Sequence, residues 1–278
     1  MKRPVPDSPA HQSDAGIVFA METEAHRFAS FVRGRRSLRG APSTGPALEF
    51  HEGILAGKRI AWVVGGAGCA AASRAAALLA DGHRPRHLVS AGFAGGLDPA
   101  LPRGALVVPS RVLREGEAEL ATLPVRCPGA TSGGAIVTVD AVVTTVAAKR
   151  ALAAATGAAL VNMETWAVAR VAAAAGIPCV SLRVVSDAAV DELPADIARL
   201  VAPQSALRRA GAALGAIGRK PAAATTLWRL WEHAVVDGRA LAEALERVVA
   251  ALPDGDTAAC RLSGRRADGP AGRAAGRE

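Results

Sequence analysis

Three acidic residues, Glu24, Glu164 and Asp187, follow short apolar runs: "GIVFAM" leads to the first, "LVNM" to the second and "LRVVS" to the third. In an open α/β sheet the carboxyl ends of the strands converge on one crevice, so these placements predict that the three carboxylates share it. Carboxylates crowded together repel one another and spread their proton affinities, which is what general acid/base chemistry exploits. Taken singly, each has a second reading as a helix N-cap or first-turn acid. All three in register favours the crevice. Two glycine stretches, "GGAG" at 65–68 and "GFAGG" at 92–96, would add backbone N–H groups able to hold an anion or a sugar hydroxyl. Neither matches G-x-G-x-x-G or a P-loop, so neither identifies a ligand by itself.

The elements that must position these residues alternate. "GIVFAM" reads as a buried strand and "ETEAHRFASFV" as a helix; "LEFHEGILAGKRIAWVVGGAG" reads as a hairpin turning at "LAGK", and "CAAASRAAALLADG" as a helix stopped by Gly82. The next strand, "HLVSAGFAGG", enters the glycine loop, and another follows the turn at Arg103 and Gly104. Then come "GGAIVTVDAVV" as a strand, "TTVAAKRALAAATG" as a helix, "AALVNME" as a strand end, "TWAVARVAAAAG" as a helix and "CVSLRVVSD" as a strand. Such alternation predicts a mainly parallel sheet flanked by helices. From 203 to 252 only helical patterns appear, broken near 218–221. Leu227, Trp228, Leu230 and Trp231 cluster there on adjacent turns, while Leu241, Leu245 and Val248 recur at helical spacing. A helical hairpin packed on the sheet is one reading of that pattern and a lipid-facing lid is the other.

Composition narrows the function classes. The 278 residues carry a formal net charge of +8, but aromatic residues make up only 3% and there is no Tyr, so a base-stacking nucleic-acid platform is excluded. The positive charge concentrates in "RGRRSLR" (Arg33–Arg39) and in the tail from Arg261. Both suit either a solvated face or peripheral contact with an anionic membrane. Four widely spaced cysteines, Cys69, Cys127, Cys179 and Cys260, contain no C-x-x-C pair and fit reduced thiols in a cytoplasm. The histidines show no metal-ligating pattern, so no metal and no cofactor is expected. The N-terminal segment lacks the apolar core of a signal peptide, and no run is long and uncharged enough to span a bilayer.

The stretches "GIVFAMETEA", "VVGGAGCAAAS", "SAGFAGGLDPALPRGALVV", "IVTVDAVV" and "LVNMETWAVARVAAAAGIPCVSLRVVSD" together resemble the nucleoside phosphorylase superfamily (purine/uridine phosphorylase-like), in particular its methylthioadenosine/S-adenosylhomocysteine nucleosidases. "SAGFAGGLDPAL", "AAKRALAAATGAALVNMET" and "LWRLWEHAVVDGRALAEALERVV" are most similar to its hopanoid-associated members, which release adenine from adenosylhopane. The resemblance implies a three-layer α/β/α fold with a mixed, mainly parallel central sheet and an extra helical C-terminal segment. It divides the chain into a disordered tail at 1–15, a catalytic domain at 16–202, a helical extension at 203–252 and a disordered basic tail at 253–278. It also implies a cytoplasmic homo-oligomer, a dimer, acting on a small nucleoside.

Residue by residue, the resemblance makes Glu24 the base that activates water and Asp187 the acid that protonates N7 of the purine, with Ser186 beside it. Met163 would pack on the ribose, and Glu164 would bind its 2′ and 3′ hydroxyls. Gly66 and Gly68 would form the loop near the nucleophile, and Val142 and Val143 would line the base. Cleavage of an N-glycosidic bond suits this set, since acid at the leaving group and base at the nucleophile are both required. Two positions depart from the family's pattern: Phe93 stands where a small hydroxyl residue is usual, and Asn162 where an acid is common. Phosphorolysis would instead need cationic phosphate ligands, for which Arg74 and Arg183 are candidates; the presence of Glu24 favours hydrolysis. A nucleoside-binding protein without catalysis is a further alternative on this fold.

Overall fold

The computed structural model describes residues 13–39, 47–194 and 222–253. Of the tails expected at 1–15 and 253–278, residues 1–12 and 254–278 lie outside the described residues, as do the break near 218–221, Cys260 and the side chains of Leu227, Trp228, Leu230 and Trp231, whereas Ser13 is buried and Ala15 opens β1. In chain order the first elements are β1 (Ala15–Phe19), α1 (Glu22–Ala29), β2 (Arg33–Arg39), β3 (Glu49–Leu55), β4 (Lys58–Val64), α2 (Cys69–His83), β5 (His87–Gly96) and β6 (Leu106–Val108). They continue with β7 (Arg111–Leu113), β8 (Leu120–Ala121), β9 (Ala130–Ser132), β10 (Ala135–Thr138), α3 (Val146–Thr156) and β11 (Leu160–Asn162). The last are α4 (Thr165–Ala174), β12 (Cys179–Asp187) and α5 (Ala222–Ala251).

All the strands join one mixed sheet. Its centre is parallel: β1 lies between β4 and β5, with Ile17 beside both Trp62 and Val89, and β12 runs parallel to β5 on the other side. Antiparallel pairs occur at the β2-β3-β4 meander and where β11 meets the end of β5. Because strand side chains alternate between faces, the apolar runs feed two separate cores. Ile17, Phe19, Trp62, Val89 and Leu182 join Phe28 of α1 and Leu241, Leu245 and Val248 of α5 on one face. Val18, Val63 and Leu88 join Leu79 of α2 and Val168 and Ala172 of α4 on the other. The sheet is therefore sandwiched between helices, the three-layer arrangement expected. Each fully buried Leu, Ile or Phe contributes about 1.5–3 kcal/mol.

Leu241, Leu245 and Val248 are fully buried against α1 and the sheet, so these three residues face the core rather than lipid. The arginine-rich stretch, expected only as a charged patch, is a strand, β2, whose residues are all exposed. It pairs with β3 on one side only, and a row of arginines on an edge strand discourages pairing with another chain. α2 runs through Gly82 to His83, because Arg84 takes the left-handed C-cap (φ 42°) immediately before Pro85. "GGAIVTVDAVV" is a strand only over Ala135–Thr138; the remainder, including Val142 and Val143, is neither helix nor strand.

Candidate active site

Glu24 sits in the first turn of α1, directly after β1, and is 2% exposed. Its Oε2 accepts the backbone N–H groups of Ala20 and Met21, both at 2.9 Å, and its Oε1 accepts that of Phe93 at 2.8 Å. The first-turn-acid reading is thus true of one oxygen, while the other reaches across to β5. Burial raises its pKa to about 7, against the opposing pull of the Phe93 and Met21 N–H donors; Glu164 adds to the rise and Arg183 opposes it. A carboxyl held there exchanges protons near neutrality.

Gly92 explains how the carboxylate gets so close to the strand. A Cβ at Gly92 would lie 2.4 Å from Glu24 Oε1 and 2.9 Å from the Arg183 guanidinium. Three residues on, a Cβ at Gly95 would lie 3.2 Å from Asp187 Oδ2. "GFAGG" is not a loop but the end of β5, with glycines where a side chain would displace Glu24 and crowd Asp187.

Arg183, on β12, is 2% exposed and donates to the hydroxyls of Ser90 and, at 2.8 Å, Thr165. Burial pulls its pKa down while Glu24 and Glu164 hold it up, so one guanidinium offsets the repulsion between these two carboxylates. Its Nε has no hydrogen-bond partner among the described residues. Glu164 holds the N-cap position of α4 but does not cap it with its side chain. Its Oε1 accepts the Gly68 N–H at 2.8 Å, and its Oε2 accepts the Met163 N–H at 3.1 Å and the Asn162 amide at 3.3 Å. Gly66 (φ 100°) and Gly68 (φ 92°) hold left-handed-side conformations that turn the chain from β4 into α2 and aim that N–H.

Asn162 has a clear local job. Its amide also donates to Thr165 Oγ1 at 2.7 Å, and its carbonyl accepts from Thr138 Oγ1 at 3.1 Å. A neutral donor here orients Glu164 without placing another negative charge beside it, as an acid would.

Asp187 ends β12 after a register irregularity between Val185 and Asp187, so Ser186 is the extra residue of a bulge that re-aims the strand end. Ser186 Oγ donates to Asp187 Oδ1 at 2.7 Å, and Lys149 Nζ donates to Oδ2 at 2.6 Å. Sequence reasoning missed Lys149. It lies in an alanine-rich helix with no apolar stripe, and its signal is visible only in three dimensions: it is the one buried residue of α3. Ser90 and Thr165, the hydroxyls that fix Arg183, were missed for the same reason.

The other expected residues are placed as follows. Met163 is half-buried, and its carbonyl accepts from the Cys69 thiol at 3.3 Å. The half-buried Phe93 packs against the core on the α1 side. Val143 packs on a small cluster with Val137, Val161 and Leu152, and Val142 is half-buried beside it. Arg74 lines a cavity of about 490 Å³ between α2 and α4, with Cys69, Arg114, Trp166 and Arg170.

The family model described as the phosphorylase superfamily matches residues 14–131 and 117–218. The chain is 34% identical over 99 residues to a 5′-methylthioadenosine/S-adenosylhomocysteine nucleosidase of Pseudoalteromonas translucida, covering 36% of this chain and 40% of the relative. The alignment thus spans about two fifths of that relative's length. Its fold is similar to the same kind of nucleosidase from Neisseria meningitidis, solved with methylthio-immucillin-A (TM-score 0.64, 19% identity, 86% of this chain and 99% of that one). It is also similar to the futalosine hydrolase of Helicobacter pylori (TM-score 0.62, 17% identity, 86% of this chain and 97% of that one).

Proposed function

Since this chain belongs to the phosphorylase superfamily, we propose that it is a nucleosidase that cleaves the N-glycosidic bond of a 5′-substituted adenosine and releases adenine. The observation that carries this reading is the burial of Glu24, which raises its carboxyl to about 7 against the pull of its backbone donors and Arg183. A base of that strength is matched to taking a proton from water at neutral pH.

The work divides among the acids. Glu24 accepts a proton from the water that attacks C1′. Glu164, steadied by Gly68 and Asn162, accepts hydrogen bonds from the 2′ and 3′ hydroxyls, and its charge favours the cationic sugar of the transition state. Met163 lies against the sugar, Val142 and Val143 against the base, and Asp187, with Ser186, serves N7 of the departing purine. Hydrolysis is preferred over phosphorolysis because a buried carboxyl, Glu24, meets the nucleophile, where an incoming phosphate would bring a second negative charge.

For the 5′ group we propose a hopanoid, the substrate being adenosylhopane. Support comes from Phe93, which stands where the family usually has a small hydroxyl residue, and from the C-terminal segment, whose sequence resembles that branch of the family. We further propose a cytoplasmic homodimer that meets its substrate at the membrane surface; among the described residues no helix is long and apolar enough to cross a bilayer. Adenine release from methylthioadenosine, adenosylhomocysteine, inosine and adenosylhopane, with and without phosphate, tests the reaction and the identity of the 5′ group. The proposal requires adenosylhopane to be cleaved fastest without phosphate, and Asp187→Asn to lose about 10²–10⁴-fold. Strict phosphate dependence would identify a phosphorylase instead, and adenine binding without any turnover would identify a binding protein.

A further inference from the structure

Lys149 stands out as a buried charge that the reaction outlined above does not use. α3 is otherwise a surface helix, and the only residue it buries is this lysine. An ammonium has three donors, and all three are taken: Asp187 Oδ2 at 2.6 Å, the Ala188 carbonyl at 2.7 Å and the Asp191 carbonyl at 3.0 Å. Desolvating a lysine costs several kcal/mol, which apolar packing at this position would avoid. The arrangement also ties Asp187 Oδ2 to Lys149 and leaves Oδ1 with the Ser186 hydroxyl, which donates to it at 2.7 Å.

We propose that Lys149 is a positioning residue for leaving-group activation, acting through Asp187; this rests on the nucleosidase reading above. As the C1′–N9 bond breaks, its electron pair goes to the purine and N7 takes the proton that the Asp187 carboxyl has taken up from solvent. Negative charge returns to Asp187 during that transfer, and the ammonium 2.6 Å away meets it. Measured from the protonated acid, in which Asp187 is neutral, Lys149 stabilises the transition state more than that ground state, and it holds the carboxyl at the required angle. No proton leaves Lys149 in the cycle.

The role is separable from plain structure by changing the leaving group. Nitrophenolate departs without protonation, so a 4-nitrophenyl riboside carrying the same 5′ group bypasses Asp187 but still needs Glu24 and Glu164. Lys149→Met should lower kcat for the adenine nucleoside by about 10²-fold, the loss typical of a misplaced catalytic group, while lowering it at least ten times less for the nitrophenyl riboside. In a double-mutant cycle, Lys149→Met with Asp187→Asn should be no slower on the nucleoside than Asp187→Asn alone. Unchanged nucleoside turnover in Lys149→Met, equal losses on both substrates, or multiplied losses in the double variant would each overturn the inference. A wild-type protein inert toward both substrates would instead overturn the nucleosidase reading, and this role with it.

Discussion

Replacing Glu24 with Gln separates the electrostatic cost of the site from its chemistry. The carboxyl titrates at 4.5 in its ordinary state and at about 7 when folded, and burial is the main cause. A raised value means that the folded form binds the proton more tightly than the unfolded chain. The contribution of this group to stability is therefore fully present below about pH 4.5 and is lost as pH rises through 7. The whole shift corresponds to about 3 kcal/mol, of which roughly 2–3 kcal/mol falls between pH 5 and pH 8. Gln carries no charge to bury, but its NH₂ must face a backbone N–H or Arg183, which costs about 1–3 kcal/mol at any pH. Urea unfolding of both proteins at pH 5 and pH 8 cancels that constant penalty. Glu24→Gln should be the less stable protein at pH 5 and should gain about 2–3 kcal/mol relative to wild type by pH 8, while adenine release is lost throughout. A stability difference that stays constant with pH would show that Glu24 is not burying a charge, and the assignment of a neutral-range base would fall with it.

Two further substitutions probe the frame. Gly92→Ala should lower kcat/KM by about 10²-fold, since its Cβ would meet Glu24 Oε1 at 2.4 Å and push the carboxylate off its donors; turnover within a few-fold of wild type would refute the steric reading of β5. Asp237→Ala removes a carboxylate, 2% exposed, whose two oxygens both accept from Arg103 Nη2, at 2.8 and 2.9 Å. It should cost about 2–4 kcal/mol in denaturant unfolding, and a cost under about 0.5 kcal/mol would show that the pair is not needed to seat α5.

What could be read in advance follows from range. Apolar runs with strand-length periods and glycine or left-handed stops are local, so most of the strands and helices were legible, as were the strand-end placements of Glu164 and Asp187. Misreadings arose where distant residues decide. Arg33–Arg39 looks like a solvated patch until β3 supplies its partner strand, and Gly82 looks like a helix end until Arg84, constrained by Pro85, is seen to take the turn. The three acids were legible by type, but their counter-charges were not: Arg183 had appeared as a candidate phosphate ligand, and Lys149 is brought to Asp187 from 38 residues away. Asn162 was legible only as a departure, because its value lies in the five groups its amide and Glu164 jointly satisfy.

The seating of α5 has a consequence for how the protein opens. This helix packs along α1, the segment that carries Glu24, and a Cβ at Gly238 would come within 2.9 Å of the Thr23 carbonyl. Few routes exist for loosening one helix without the other, since both draw on the same apolar cluster. Amide hydrogens of α1 and the buried turns of α5 should exchange together, as one cooperative unit, at a rate set by sub-global opening rather than by fraying of the C-terminal helix. Partial melting of the C-terminal segment would then silence the site by releasing the carboxyl at its base, and stability of the protein's far end becomes a determinant of how long the site stays competent.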